Sequence, residues 1–438
     1  MNKNLYAGVG RADITPTEPS FLIGYPHVPR TSTGVHDPLY ATALALRRGD
    51  QTVILVACDI VFVGQTSARQ CRDAIARQGG VPPAQVLISA THTHSGPVTT
   101  ESLIRRSDPV VPPPDPEYLA LFEAGIVRAA LDALAALEPA TLAHGAAAVS
   151  GVGGNRLDPA APRDGESNLL AVRRADGSPL ALAMIYAMHP TVLHEDSTLI
   201  SADFPAFARQ ALETEFPGMT VLYHTGTAGN QSPRHEVKAC TFAEAERLGL
   251  RLAAQIADGL RAIPEAAYDA QPVLAAATAQ VDIPPRRYPA VEVAERLERT
   301  ARETFERLRD GNGPRTATRT AECAWFGAEE RVTLARAQAS GELAAWQAQF
   351  TPAEVQMLRL GGGRWFGLPC EIFVEYGLEL KRRLGPDPVG VISLANGELQ
   401  GYIVTPEADA ADGYEAANSL FTPEAGKRLV EAAVRLAK

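Results

Sequence analysis

Two histidines one residue apart, His92 and His94, stand in Thr91-His92-Thr93-His94-Ser95-Gly96-Pro97, directly after an apolar run at residues 86–90. On an extended strand, positions i and i+2 face the same way, so both imidazoles are expected to project from one strand end into one site. Imidazole is the commonest protein ligand for zinc and the commonest general base. A bare His-x-His fits one buried, hydrogen-bonded histidine beside one solvated histidine just as well, so other residues must decide. His189 closes the apolar run 180–188 and is fixed by Pro190; alone it reads as a satisfied core histidine. His194, in the polar Leu193-His194-Glu195-Asp196, reads as a surface or neighbouring residue and not as a ligand. Glu371 is wedged in Pro369-Cys370-Glu371-Ile372-Phe373, where a carboxylate is costly unless paired or metal-bound. An acid satisfied by backbone N–H groups at a helix start is the equal alternative. Ser232, in Gly229-Asn230-Gln231-Ser232-Pro233, is not in the Gly-x-Ser-x-Gly elbow of α/β-hydrolases, and many such serines only make turns.

The elements that must position these residues are legible as short apolar runs alternating with helical stretches. Residues 53–58, 86–90, 180–188, 220–223 and 389–394 read as strands, several apolar throughout and therefore buried on both faces. Asp115-Pro116-Glu117 supplies an N-cap, a proline at the first helical position and an early acid for a helix over 118–137. Thr241-Phe242-Ala243-Glu244 is a capping box before Leu248, Leu252 and Ile256, and Thr422-Pro423-Glu424 opens a last helix. The alternation predicts an α/β fold, a mixed β-sheet core flanked by helices. Residues 290–345, rich in Glu, Arg and Ala and broken by Asp310-Gly311-Asn312-Gly313, read as a helical excursion that covers or flanks the site. No internal repeat is evident, and residues 1–438 read as a single domain. Gly361-Gly362-Gly363 reads as a turn. Asp59, His92 and His94, His189, Ser232 and Tyr402 each follow one of the strand runs, which predicts a shared cleft at the carboxyl ends of strands.

Composition excludes several partner classes. The 438 residues are 46% hydrophobic and 21% charged, as in a soluble globular protein, with 41 Lys and Arg against 51 Asp and Glu for a net charge of -10. No Lys/Arg block stands out, which disfavours nucleic acid or an anionic membrane as the main partner. The five cysteines are scattered, with no Cys-x-x-Cys pair, so reduced thiols in a cytoplasm fit better than a disulfide framework. There is no apolar signal core at the N-terminus and no stretch of about 20 apolar residues to span a bilayer. A small-molecule substrate is expected; nothing indicates an oligomeric state.

Taken in order, the motifs resemble the catalytic domain of the neutral/alkaline, non-lysosomal ceramidase family. The strings are Gly8-Val9-Gly10-Arg11-Ala12-Asp13-Ile14-Thr15-Pro16, Gly24-Tyr25, Gly34-Val35-His36, Thr91–Pro97, Asn155-Arg156, His189-Pro190-Thr191, Ser201-Ala202-Asp203, Gly229–Pro233, Pro369-Cys370-Glu371 and Gly401-Tyr402-Ile403-Val404-Thr405. The resemblance implies one zinc ion per chain, held by His92, His189, Glu371 and Tyr402, with His94 beside the metal or in contact with substrate. It places Ser232 at the catalytic serine, Tyr414 near the reacting carbonyl and Arg156 close to the substrate. Zinc with N and O ligands suits amide hydrolysis, because it polarises the carbonyl and stabilises an oxyanion that Tyr414 could also serve. Ser232 then acts either as an acyl-accepting nucleophile or as a group that orients water.

The chain departs from the family where the serine motif, usually Gly-Asp-x-Ser-Pro-Asn, reads Gly229-Asn230-Gln231-Ser232-Pro233-Arg234, and where Cys370 replaces a glycine. It ends soon after the tyrosine motif, without the family's immunoglobulin-like C-terminal domain. These departures predict an N-acyl amide smaller or more soluble than ceramide, with Arg234 or Arg156 binding a carboxylate on it. Two other readings compete: a metal-binding relative without catalysis, and a His-x-His hydrolase of the barrel amidohydrolase type acting on another amide or ester.

Overall fold

The computed structural model describes residues 4–106 and 108–438, the side chain of Arg315 excepted. Twelve longer strands form two sheets. The first sheet holds β1 (Leu5–Asp13), β2 (Tyr40–Arg48), β3 (Gln51–Cys58), β4 (Val86–Ala90), β5 (Glu138–Ala148), β6 (Glu166–Arg174), β7 (Pro179–Tyr186) and β8 (Thr220–Thr225). Its order is β8-β7-β6-β5-β1-β2-β3-β4. The pairs at its two edges, β3/β4 and β7/β8, are parallel, and all other pairs are antiparallel. The second sheet runs β9 (Leu274–Val281), β10 (Ala353–Leu360), β11 (Gly363–Gly367), β12 (Val389–Ile392), with β11/β12 its parallel pair.

The strand runs are apolar throughout because both faces are covered. On β3, Ile54, Val56 and Cys58 pack among helices Gln65–Gly79 and Pro116–Ala135, while Val53, Leu55 and Ala57 point into a separate interior cluster. On β7, Leu182, Met184 and Tyr186 likewise face helices Phe204–Glu215 and Phe242–Arg261, and Ala181, Ala183 and Ile185 face the interior. The second sheet adds Leu274, Leu358, Trp365 and Ile392 to that same interior cluster.

Contrary to the sequence reading, the architecture repeats. Three times the chain makes two antiparallel pairings, crosses through a helix to a fourth, parallel strand, and closes with a helix. The units are β1–β4, β5–β8 and β9–β12; their crossover helices are Gln65–Gly79, Phe204–Glu215 and Val374–Leu384. A parallel pair needs such a crossover, which is why a helix recurs at that point in each unit. The closing helices are Pro116–Ala135, Phe242–Arg261 and Glu424–Leu436. Helices Val291–Asp310, Arg315–Ser340 and Glu342–Ala348 are an insertion between the first two strands of the third unit. The barrel amidohydrolase alternative is therefore excluded, since three such units are not eight βα repeats.

The local signals hold with small corrections. Asp115 caps its helix by accepting from Glu117 N, and Thr241 accepts from Glu244 N. Glu244 does not complete the capping box; its carboxylate accepts from Lys238 N at 2.7 Å and binds Arg247. Thr422 makes no side-chain cap, and the last helix begins at Glu424. β7 stops at Tyr186, two residues before the apolar run ends, where Met188 N turns back onto Tyr186 O. Gly361, at φ 64, supplies the left-handed residue of the tight β10–β11 turn. No helix among the described residues is long and apolar enough to cross a membrane.

Candidate active site

The carboxyl ends of the three parallel pairs converge. The free edges β4 and β8 approach one another through Ser89 Oγ and His224 Nδ1 at 2.8 Å, and through Thr225 Oγ1, which donates to Thr91 O at 2.7 Å. The segment after β12 closes the gap, with Ser393 N donating to Thr225 O and Asn396 N to Ile88 O. Side chains in the loops beyond these ends therefore share one space, the usual place for a ligand at parallel strand ends. A cavity of about 290 Å³ is lined by all eight residues to which the resemblance assigns a role: His92, His94, Arg156, His189, Ser232, Glu371, Tyr402 and Tyr414.

Asp59 is the exception among the residues that follow strands. It is fully buried and accepts two hydrogen bonds from Arg209 of helix Phe204–Glu215, at 2.6 and 2.7 Å. Its carboxylate is taken up by that pair and by Tyr40 N, which donates to Oδ2 at 3.0 Å, and it does not line the cavity.

His92 and His94 converge, but not by strand pleating. β4 ends at Ala90, and His92 takes a left-handed φ of 71, rare for a residue with a side chain. Hydrogen bonds from His92 N to Ile60 O and from Thr91 N to Cys58 O hold that kink. His92 Nδ1 lies 2.8 Å from Val61 O, and His189 Nδ1 lies 2.9 Å from Gln231 O. A carbonyl oxygen can only accept, so both rings carry their proton on Nδ1 and turn the Nε2 lone pair inward. Glu371 Oε2 stands 3.0 Å from His189 Nε2 and 3.3 Å from His92 Nε2. His94 Nε2 is 3.4 Å from His92 Nε2, and its buried Nδ1 has no hydrogen-bond partner among the described residues. His92, His94 and His189 form a cluster whose ligand atoms lie within 4.8 Å of one another and could hold a metal ion. A two-residue parallel ladder sets Glu371 beside Tyr402 and Ile372 beside Ile403, so the carboxylate and the phenol are register partners.

Electrostatics favour lone pairs and a carboxylate in the centre. Burial, with Arg156 and His92 adding to it, pulls the His189 imidazole down to about 4. Burial and the neighbouring imidazoles hold His94 well below its ordinary value. Burial alone would raise the Glu371 carboxyl, but His92 and His189 outweigh it and keep it well below the usual range. The Tyr402 phenol is raised well above its ordinary value by burial, and Arg156 opposes the shift from 5.1 Å over the ring.

The remaining residues ring this centre. Ser232 is buried, and its Oγ accepts from Arg234 N at 3.3 Å. Arg156 Nε donates to Glu415 Oε1 at 2.7 Å, while its buried Nη2 has no hydrogen-bond partner among the described residues. Tyr414 Oη accepts from Arg105 Nη2 at 3.2 Å. The helical insertion supplies one wall through Thr316, Arg319, Cys323 and Phe326. His194 is part of the wall, not the outer surface: burial works against its charge, but hydrogen bonds with Cys240 and Glu195 raise it to about 9.

Two supports were not legible in the sequence. Arg30 is 2% exposed and donates to the carbonyls of Leu22, Ile23, His94, His194 and Ser197, pinning the histidine loop; nothing in Pro29-Arg30-Thr31 announces this. Gly24 stands at φ 135, and a Cβ there would sit 2.6 Å from His94 Nδ1. The Ser201-Ala202-Asp203 motif is a brace: Asp203 accepts from Val192 N and Leu193 N beyond His189, and Ser201 O accepts from Thr93 Oγ1.

Comparisons with known proteins bear on the family and the fold. Residues 5–242 match the family model described as neutral/alkaline non-lysosomal ceramidase, N-terminal. The neutral ceramidase of Pseudomonas aeruginosa is 23% identical over 471 residues, covering 95% of this chain and 69% of that protein. Its crystal structure superposes with a TM-score of 0.75 at 22% identity, over 99% of this chain and 74% of that one. A ceramidase complexed with C2 gives the same TM-score at 20% identity, over 99% and 75% of the two chains. At these identities the structural likeness is one of fold.

Proposed function

Because the chain belongs to the neutral/alkaline non-lysosomal ceramidase family, we propose that it is a zinc-dependent hydrolase of N-acyl amide bonds, acting on a substrate smaller or more soluble than ceramide. The observation that carries this reading is the convergence of two carbonyl-locked imidazoles on one carboxylate oxygen, beside a buried serine in one cavity. The donor set fits a zinc ion: neutral Nε2 atoms, an ionised carboxylate and an adjacent phenol, with Nδ1 protons fixed by backbone carbonyls. His92, His189, Glu371 and Tyr402 would hold it, and it would supply Lewis acidity.

The chain's own residues divide the remaining work. Arg156 Nη2, a buried donor without a partner, meets the carbonyl oxygen of the scissile amide as negative charge develops there. Tyr414, whose oxygen is already an acceptor for Arg105, presents its O–H to the same region. Ser232 has its Oγ lone pair engaged by Arg234 N, which leaves its O–H free to donate into the cavity. No imidazole makes a hydrogen bond with that Oγ among the described residues. Ile23, Val61, Phe62, Ile104 and Phe326 give the acyl chain an apolar bed.

Elemental analysis of purified protein, paired with chelation and metal readdition on N-acyl amides from short acyl amino acids to ceramide, tests the reading. About one zinc per chain and chelator-sensitive cleavage of some member are expected. Absence of stoichiometric metal after supplementation would overturn the ligand set; ceramide as the sole substrate would overturn the substrate class.

A further inference from the structure

Among the described residues, four arginines line the cavity: Arg105, Arg156, Arg234 and Arg319. Three carry their counter-ion with them. Arg105 pairs with Glu330 at 2.9 Å and Arg156 with Glu415 at 2.7 Å. Arg319 pairs with Glu322 at 2.5 Å and with Glu195 at 3.4 Å. Arg234 has no carboxylate partner among the described residues. The one hydrogen bond of its guanidinium among the described residues is to Cys323 Sγ, at 3.5 Å, and a thiol is a weak acceptor. In a chain whose net charge is -10, a half-buried guanidinium that lines a cavity with no carboxylate beside it among the described residues is uncompensated. Burying a cation without its pair is costly, and a bound anion would remove that cost.

Position narrows what the anion belongs to. Arg234 stands two residues beyond Ser232 in the turn Pro233–His235, and its backbone N–H already holds the Ser232 oxygen. An anion at this guanidinium therefore lies within one arginine side chain's length of the Ser232 turn, and not at the far end of an acyl chain. In an N-acyl amino acid the carboxylate is one carbon away from the amide nitrogen, which matches that placement. The apolar lining takes the acyl group, and the charged end turns toward Arg234.

We infer that Arg234 is the carboxylate anchor of the cavity and that the substrates are N-acyl amino acids, an inference that rests on the amidase reading. Arg156, the other candidate, keeps its charge neutralised by Glu415 and spends its free N–H on the scissile carbonyl.

Calorimetric binding of N-octanoylglycine and of its uncharged isostere N-octanoylglycinamide to the full chain, metal content measured, tests the anchor. The acid is expected to bind roughly 10- to 100-fold tighter than the amide, the range of a charge-assisted, bidentate contact. Arg234→Gln is expected to abolish that preference while the amide binds as before, which also shows that the cavity is intact; Arg234→Lys should restore part of it. Equal affinity of the two compounds for the wild-type protein overturns the anchor without need of any variant, and so does a preference that survives Arg234→Gln. Release of glycine or glycinamide in the same samples judges the amidase reading separately. If neither is released, that reading falls, and the binding preference still decides the anchor.

Discussion

His92, His189 and Glu371 were each ambiguous as isolated residues, and only their order along the chain made them a site. What could not be read was support from distant residues, because it depends on shape and not on residue type. Gly24 is the clearest instance. Its φ of 135 and the 2.6 Å from an added Cβ to His94 Nδ1 make the missing side chain a requirement of the histidine loop. Gly24→Ala is expected to displace His94 and cut turnover of any cleaved N-acyl amide by about tenfold or more; unchanged kinetics would show that the loop absorbs the methyl. His194 gives a pH signature. Its folded pKa, about 9, lies above the ordinary 6.5, so its stabilising contribution is whole below 6.5 and is lost as pH rises through 9. Its partner Glu195 is held down to about 2, first by the hydrogen bond with His194, so that contribution is whole above 4.5 and is lost as pH falls toward 2. Urea unfolding should show wild type more stable than His194→Gln by about 1 kcal/mol at pH 6, after solvent screening, and level with it above pH 9.

At the level of elements, continuous apolar runs announced strands covered on both faces, and the covering proved to be helices outside and a shared interior cluster inside. Capping residues marked two helix starts within a residue or two, because a cap is a local hydrogen bond that the sequence states directly. Asp59 was misread for the opposite reason. Its position after β3 suggested chemistry, yet its partner Arg209 lies 150 residues away on the crossover helix of the next unit. Asp59 is 0% and Arg209 6% exposed, so removing either leaves an uncompensated buried charge. Asp59→Ala and Arg209→Ala are each expected to cost about 3–5 kcal/mol, and the double variant much less than their sum. A denaturant double-mutant cycle that returns strict additivity would show that the pair does not tie the two units together.

On the scale of the whole molecule, the threefold repetition of one supersecondary unit escaped the sequence, because the units share pairing pattern and not residues, and the third is interrupted by the helical insertion. The centre draws on all three: His92 and His94 follow β4, His189 and Ser232 follow β7 and β8, and Glu371 and Tyr402 follow β11 and β12. A cation held there would cross-tie the units, so chelation is expected to lower the melting temperature of the entire chain by several degrees, through loss of binding to the folded state. A melting curve indifferent to chelator, on protein shown to contain metal, would count against that tie. The same arrangement sets a timetable for birth of the site. A chain leaves the ribosome amino end first, and units fold as they emerge. Both imidazole loops are complete by residue 189, but the carboxylate and the phenol arrive only with residues 371 and 402. While residues 190–370 are made the nascent protein carries histidines with no Glu371 to balance a cation, and competence for chemistry waits on residues 371 and 402.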